Sequence, residues 1–349
     1  MNINISGLKN HFFNEKSEER IVDKKTNIKT KIVNYCFYSI NEANICHKIK
    51  KIPYYLNYYS IIESYDFINI SAIREQFMEK AELLDESKKY LLFTYNPFFL
   101  HFGDFLTQFN EPKLLIFNMI NTFSYLLQSL IQLQAQNICF FQLSHQNIVF
   151  TKELRENPLL CNFQLSLLNS KLNVEYITNI IKKTKDYSLK PLEVHVLFYL
   201  IENNLETISY SFIEEIVEVF MRNLSILCFF SQSYRENYKN ACITFLKKYM
   251  NMPKNEIILH ILTYHTSWDI YGISILYIHI FANISKVFSL KQTFINKITL
   301  ELSKNIHPDP SKRSSLVELQ ESFNKLFNLQ MDWSFVNELD AGKMSELWN

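Results

Sequence analysis

Two short segments constrain this chain more than any other part of it. Residues 140–150 read FFQLSHQNIVF, and residues 160–166 read LCNFQLS. Both are apolar runs broken by a few polar side chains. They read as strand-and-loop units, over 138–150 and 159–165, set between long helical patterns.

The surrounding pattern predicts an α+β chain. Residues 1–28 are a polar, charged lead-in. From Lys31, KIVNYCFYSI is rich in β-branched and aromatic residues and predicts a strand. Residues 41–52 place apolar side chains at 45, 49 and 52, a helical spacing that Pro53 ends. Further strands are expected over 58–62, 67–70 and 90–95, the last stopped by Asn96-Pro97. Residues 114–133 predict a long helix, apolar on nearly every face and therefore buried. Helical patterns dominate from Val194 onward. The apolar run 270–284 is interrupted by His279 and Asn283 and is too short to span a bilayer. The tail carries Trp333 and Trp348, which are expected to dock back on the body.

Composition narrows the function classes. A 349-residue chain that is 48% hydrophobic and 15% aromatic can bury a sizeable core. Its 36 basic and 35 acidic residues nearly cancel, which argues against nucleic acid or an acidic membrane as partner. The lysine patches at 24–25, 48–51 and 182–183 read as solvated faces. The six cysteines lie at 36, 46, 139, 161, 228 and 242, with no zinc-pair or redox spacing. They are expected to be buried free thiols in a reducing compartment. The first twenty residues hold no apolar signal core, so the expected location is cytoplasmic. Only four glycines occur, at 7, 103, 272 and 342, where average usage would give roughly 24. No segment before residue 100 has the close glycines that a phosphate-cradling loop needs.

The two leading segments resemble the catalytic loop and the metal-binding motif of the protein kinase family, HRDLKPENILL and DFG. In that frame the His-Arg-Asp triplet falls on Phe140, Phe141 and Gln142, and Asn147 keeps the metal-binding Asn. The metal-binding Asp falls on Asn162, Phe163 is retained, and Gln164 replaces the glycine. Lys190-Pro191-Leu192-Glu193 resembles the APE motif, and Asp309 to Arg313 resembles the late element whose Arg pairs with its Glu. Trp268-Asp269-Ile270-Tyr271-Gly272 resembles the start of the family's central hydrophobic helix.

The resemblance implies a two-lobed fold. A small β-rich N-lobe covers 29–95, and a larger, mainly helical C-lobe covers 96–329, followed by a tail at 330–349. It also implies a buried Glu193–Arg313 ion pair, with Asp269 holding the backbone at Phe140 and Phe141. Tyr38 is placed where the ATP-positioning Lys stands, with Lys29 or Lys31 as substitutes in a shifted register, and Glu42 as the helix partner. The stretch from Glu193 to Asp269 is longer than the family's, and residues 201–265 are expected to form a helical insertion. Kinase-like proteins of large DNA viruses are similar in this region, which would place the chain in host cytoplasm or the virion.

The chemistry that the resemblance implies is impaired. Phosphoryl transfer needs a carboxylate to orient the substrate hydroxyl and take its proton, and a Gln amide at 142 has no useful basicity. Mg²⁺ strongly prefers carboxylate and phosphate oxygens, and Asn162 offers one neutral carbonyl. The leading reading is a pseudokinase that acts by binding or scaffolding a protein partner. It has no assured cofactor, and ATP and Mg²⁺ are kept as options. One alternative is an active atypical serine/threonine kinase that recruits another carboxylate, such as Glu153 or Asp186. A second is a helical scaffold unrelated to kinases.

Overall fold

The computed structural model describes residues 21–22, 29–68, 87–96, 100–151, 157–184, 187, 189–290, 293–329 and 339–348. Strands dominate its first part. β1 (Ile21–Val22) pairs antiparallel with β2 (Lys29–Asn34), and α1 (Phe37–Ile49) follows. β3 (Tyr59–Ser60), β4 (Ile62–Ile68) and β5 (Tyr90–Tyr95) come next. The first sheet is antiparallel in the order β1-β2-β5-β4. Its central strand β5 reads YLLFTY, the β-branched and aromatic content that suits a half-buried pleat.

The strand expected over 31–40 stops at Asn34, and residues 37–40 are helical. Ser39 explains the switch. Its hydroxyl donates to the Asn34 carbonyl at 2.8 Å and accepts the Cys36 N–H at 3.0 Å, which satisfies one of the donors a helix start leaves open. The run Tyr35 to Tyr38 has strand propensity, but this cap and the Phe37–Tyr176 ring contact at 5.3 Å override it. The helix ends at Ile49, before Pro53 is reached.

The middle of the chain supplies β6 (Leu100–His101), α2 (Phe102–Leu106), α3 (Pro112–Ala135) and β7 (Ile138–Cys139). β8 (Ile148–Phe150), β9 (Leu159–Cys161), β10 (Leu167–Leu168) and α4 (Val174–Lys183) follow. A second, mixed sheet runs β3-β9-β8-β6, with β3 parallel to β9, and β7 pairs with β10 in a third. Helices dominate the remaining described residues: α5 (Leu192–Glu202), α6 (Tyr210–Asn223), α7 (Gln232–Leu246) and α8 (Lys254–Leu262). α9 (Trp268–Val287), α10 (Phe294–Lys304), α11 (Leu316–Leu329) and α12 (Met344–Trp348) follow. The class is α+β, and the residues expected to form a helical insertion hold α6, α7 and α8.

α3 and α9 sit at the centre of the helical part. Phe123 of α3 lies 4.9 Å from the rings of both Tyr277 and Phe323, and Thr122 bonds the buried Tyr277 hydroxyl at 2.8 Å. Among the described residues, two helical stretches are long and apolar enough to cross a membrane by length and composition: Pro112–Ala135, and His265–Val287, which includes α9 and extends the 270–284 run that was expected to be too short. In the fold 61% of each apolar window is buried, as in core helices. Burial of α3 is not complete, however. Leu114 and Phe117 are 46% and 45% exposed, so the all-round apolar pattern overstated its enclosure.

The cysteine expectation needs one correction. All six thiols are free, but Cys228 is exposed and Cys36 is half-buried. The polar lead-in lies largely outside the described residues, as do Trp333, Glu153 and Asp186.

Truncating Phe123 to Ala should cost about 3–5 kcal/mol through the cavity it leaves. The same truncation at exposed Leu114 should stay within about 0.5 kcal/mol. Urea unfolding of the two variants measures both.

Candidate functional site

Asp269, in the first turn of α9, positions the centre of the site. Its Oδ2 accepts the Phe140 N–H at 2.7 Å and its Oδ1 accepts the Phe141 N–H at 2.8 Å. The next N–H, from Gln142, turns back to the Phe140 carbonyl at 2.7 Å. Phe141, at the middle of this tight turn, has φ +64°. A bulky residue in that region costs about 1–3 kcal/mol. Two charge-assisted bonds at roughly 1.5–3 kcal/mol each outweigh that cost. Burial pushes the Asp269 carboxyl up, while the Phe141 and Phe140 N–H groups pull it back. Burial, with Asp269 alongside, also pushes the Cys139 thiol well up.

A cation reaches this turn from a distant segment. The Lys190 ammonium donates to the Phe141 carbonyl and lies 4.3 Å from the centre of its ring. A positive charge thus stands beside Phe141, supplied by the residue before Pro191. No sequence signal marked Lys190 for that place.

The polar side chains meet just beyond the turn. Asn147, in the single helical turn at His145–Asn147, donates through Nδ2 to the Gln142 carbonyl at 2.7 Å. Its Oδ1 accepts Nδ2 of Asn162 at 3.3 Å. Asn162 follows β9 with φ +64°, a conformation that Asn tolerates better than most residues. The structure therefore joins the Gln142 backbone carbonyl and the Asn147 and Asn162 side chains in one hydrogen-bonded chain. The Gln142 Oε1 atom is buried with no hydrogen-bond partner.

Phe163 packs 5.2 Å from the Phe140 ring and 6.1 Å from that of Tyr59, whose hydroxyl is anchored on the Ser129 carbonyl at 2.7 Å. Ser166 donates to the Phe140 carbonyl at 2.9 Å, tying the second segment to the first. From α1, Asn41 donates to the carbonyls of Gln164 at 3.1 Å and Ser166 at 2.9 Å. Tyr176 completes that network by donating to Asn41 Oδ1 at 2.6 Å. Asn41 escaped the sequence reading, which chose its neighbour Glu42. Glu42 is buried on the same helix.

The placement of Tyr38 is corrected. It stands on α1 rather than in a strand, and its hydroxyl donates to the Asn179 carbonyl at 3.0 Å. Lys31 lies in β2 opposite Phe93, and Lys29 begins that strand.

Glu193 and Arg313 meet with no side-chain exposure on either partner. The guanidinium donates to both carboxylate oxygens, at 2.6 and 2.9 Å. Trp268 Nε1 adds a third donor to Glu193 at 3.1 Å. Arg313 is satisfied in turn by the His307 carbonyl at 2.9 Å and stacks 4.9 Å from the Tyr271 ring. Bidentate geometry and full pairing are what make such a buried ion pair tolerable.

The amide cluster does not fit Mg²⁺. Every donor in it is neutral, and the Asn147 oxygen is already engaged by Asn162. Among the described residues no group of three or more His, Cys, Asp or Glu side chains is placed to hold a metal. No protein-family model matches the chain, and no curated protein matches it.

Two substitutions test the anchors. Glu193→Ala should cost about 3–5 kcal/mol by leaving the Arg313 charge buried, and the double variant Glu193→Leu/Arg313→Met should recover much of that loss. Asp269→Asn presents an N–H to a backbone N–H and should cost roughly 1–3 kcal/mol. Denaturant unfolding at pH 7 reads all three variants.

Proposed function

We propose that this chain is a catalytically impaired, protein-kinase-like protein that works by binding a protein partner. The observation that carries this reading is the amide chain through Gln142, Asn147 and Asn162. Under the kinase resemblance, 142 and 162 are where proton transfer and metal charge require carboxylates. The Asn162 side chain bonds to Asn147, and Asn147 bonds to the Gln142 backbone carbonyl, so the loop is held in place without the charges that the chemistry uses.

Three further observations support the kinase-like frame. The β1-β2-β5-β4 sheet is flanked by α1, as a small N-lobe requires. Asp269 grips the Phe140–Phe141 backbone, and Glu193 pairs with Arg313, both as that frame expects. The alternative of a helical scaffold unrelated to kinases gives no reason for the β1-β2-β5-β4 sheet beside α1. The architectural positions keep their charges, and the chemical positions lose theirs, which is the pattern of a shape retained for recognition.

Purified protein incubated with radiolabelled ATP and Mg²⁺ should leave itself and generic protein substrates unlabelled. The Gln142→Asp/Asn162→Asp variant should remain inactive too, because the sequence has no glycine loop. Robust transfer by the natural protein that Asn147→Ala abolishes would contradict the proposal.

A further inference from the structure

A second surface stands apart from the amide cluster, at the other end of α1. We propose that the turn leaving this helix, residues 47–56, docks an acidic segment of a protein partner that presents apolar side chains. This inference rests on the binding role proposed above and names the chemistry of the partner.

The turn combines three features. His47 and Lys51 are exposed and Lys48 is half-buried, and among the described residues neither of these two lysines has an ionic or hydrogen-bonded partner. Beyond them Tyr54 is 82% exposed and Leu56 is 46% exposed. Tyr54 also has φ 56°, a left-handed backbone that a residue with a side chain adopts at a cost. That conformation holds the ring out on a short 3₁₀ turn (Tyr55–Asn57) rather than letting it fold back.

A structural explanation covers only part of this. His47 and Lys48 lie in the last turn of α1, where cations favour the helix dipole. Tyr54 and Leu56 lie past the helix end and gain nothing from it, while Lys51 directly follows the C-cap residue Lys50. An aromatic anchor with a cationic rim is the composition that protein interfaces concentrate, and acidic groups on the partner complement the rim. A bilayer is the weaker match. Three lysines, one of them (Lys50) donating to the Glu63 carbonyl, and two exposed apolar side chains fall short of the paired signals that stable membrane attachment takes.

Acidic peptides carrying Phe and Leu, of graded Glu content and 15 residues long, provide the test when arrayed against the full chain. Binding should rise with acidity and fall with added salt. It should drop at least tenfold for Lys48→Glu/Lys51→Glu and for Tyr54→Gly/Leu56→Ser. Glycine relieves the positive φ, so the second variant should keep its thermal midpoint, showing that lost binding is not lost folding. Binding that is absent, or unchanged by both variants, overturns the proposal. So does co-sedimentation with phosphatidylserine vesicles that the same variants abolish. None of these readouts involves nucleotide, so phosphoryl transfer, which would sink the functional reading, is scored separately.

Discussion

The carboxylate of Asp269 holds two consecutive backbone N–H groups, and the geometry of the site depends on that grip. Without it, Phe141 has no reason to remain at positive φ, and the Gln142 carbonyl has no fixed direction. With it, the turn aims that carbonyl at Asn147, and Asn147 in turn receives Asn162. One buried charge thus orders the Gln142 carbonyl and the two neutral side-chain amides beyond it. The Lys190 ammonium lies on the far side of the same turn and compensates the anion. The whole arrangement is assembled from α9, the 140–147 loop, the strand β9 and the segment before α5.

Charge in this protein is spent on structure. Glu193 and Arg313 are fully desolvated, yet every strong donor between them finds an acceptor, and Trp268 and His307 absorb the remainder. Such a pair adds little net stability over an apolar substitute, but it fixes α5 against the start of α9 and the segment before α11. The neutral cluster at Asn147 and Asn162 has no such charge. The fold bears the desolvation of an Asp and a Glu–Arg pair at its anchors and leaves neutral amides between them, which is the pattern behind the function proposed above.

Part of this was legible only through the kinase resemblance, whose motif order paired Glu193 with Arg313 and aimed Asp269 at the backbone of Phe140 and Phe141. Strand β5 was legible from its own residues: YLLFTY followed by Asn-Pro admits few other conformations. The start of α1 was not, because Tyr35 to Tyr38 favour strand locally and only the Ser39 cap and the packing on Tyr176 reverse that preference. Lys190 and Asn41 were missed on different grounds. Each reaches its target across more than forty residues of chain, and nothing in the neighbouring sequence says where a lysine or an asparagine will point.

The central claim is that the amide cluster carries no metal charge, and the thermal midpoint in the presence of nucleotide tests it most directly. Binding to the folded state must raise stability, by about 2.7 kcal/mol at a hundredfold excess over Kd. The account predicts that millimolar ATP with MgCl₂ leaves the midpoint where metal-free ATP and ADP leave it. A clear rise that requires Mg²⁺ would contradict it, since a metal would then be held where only neutral donors stand.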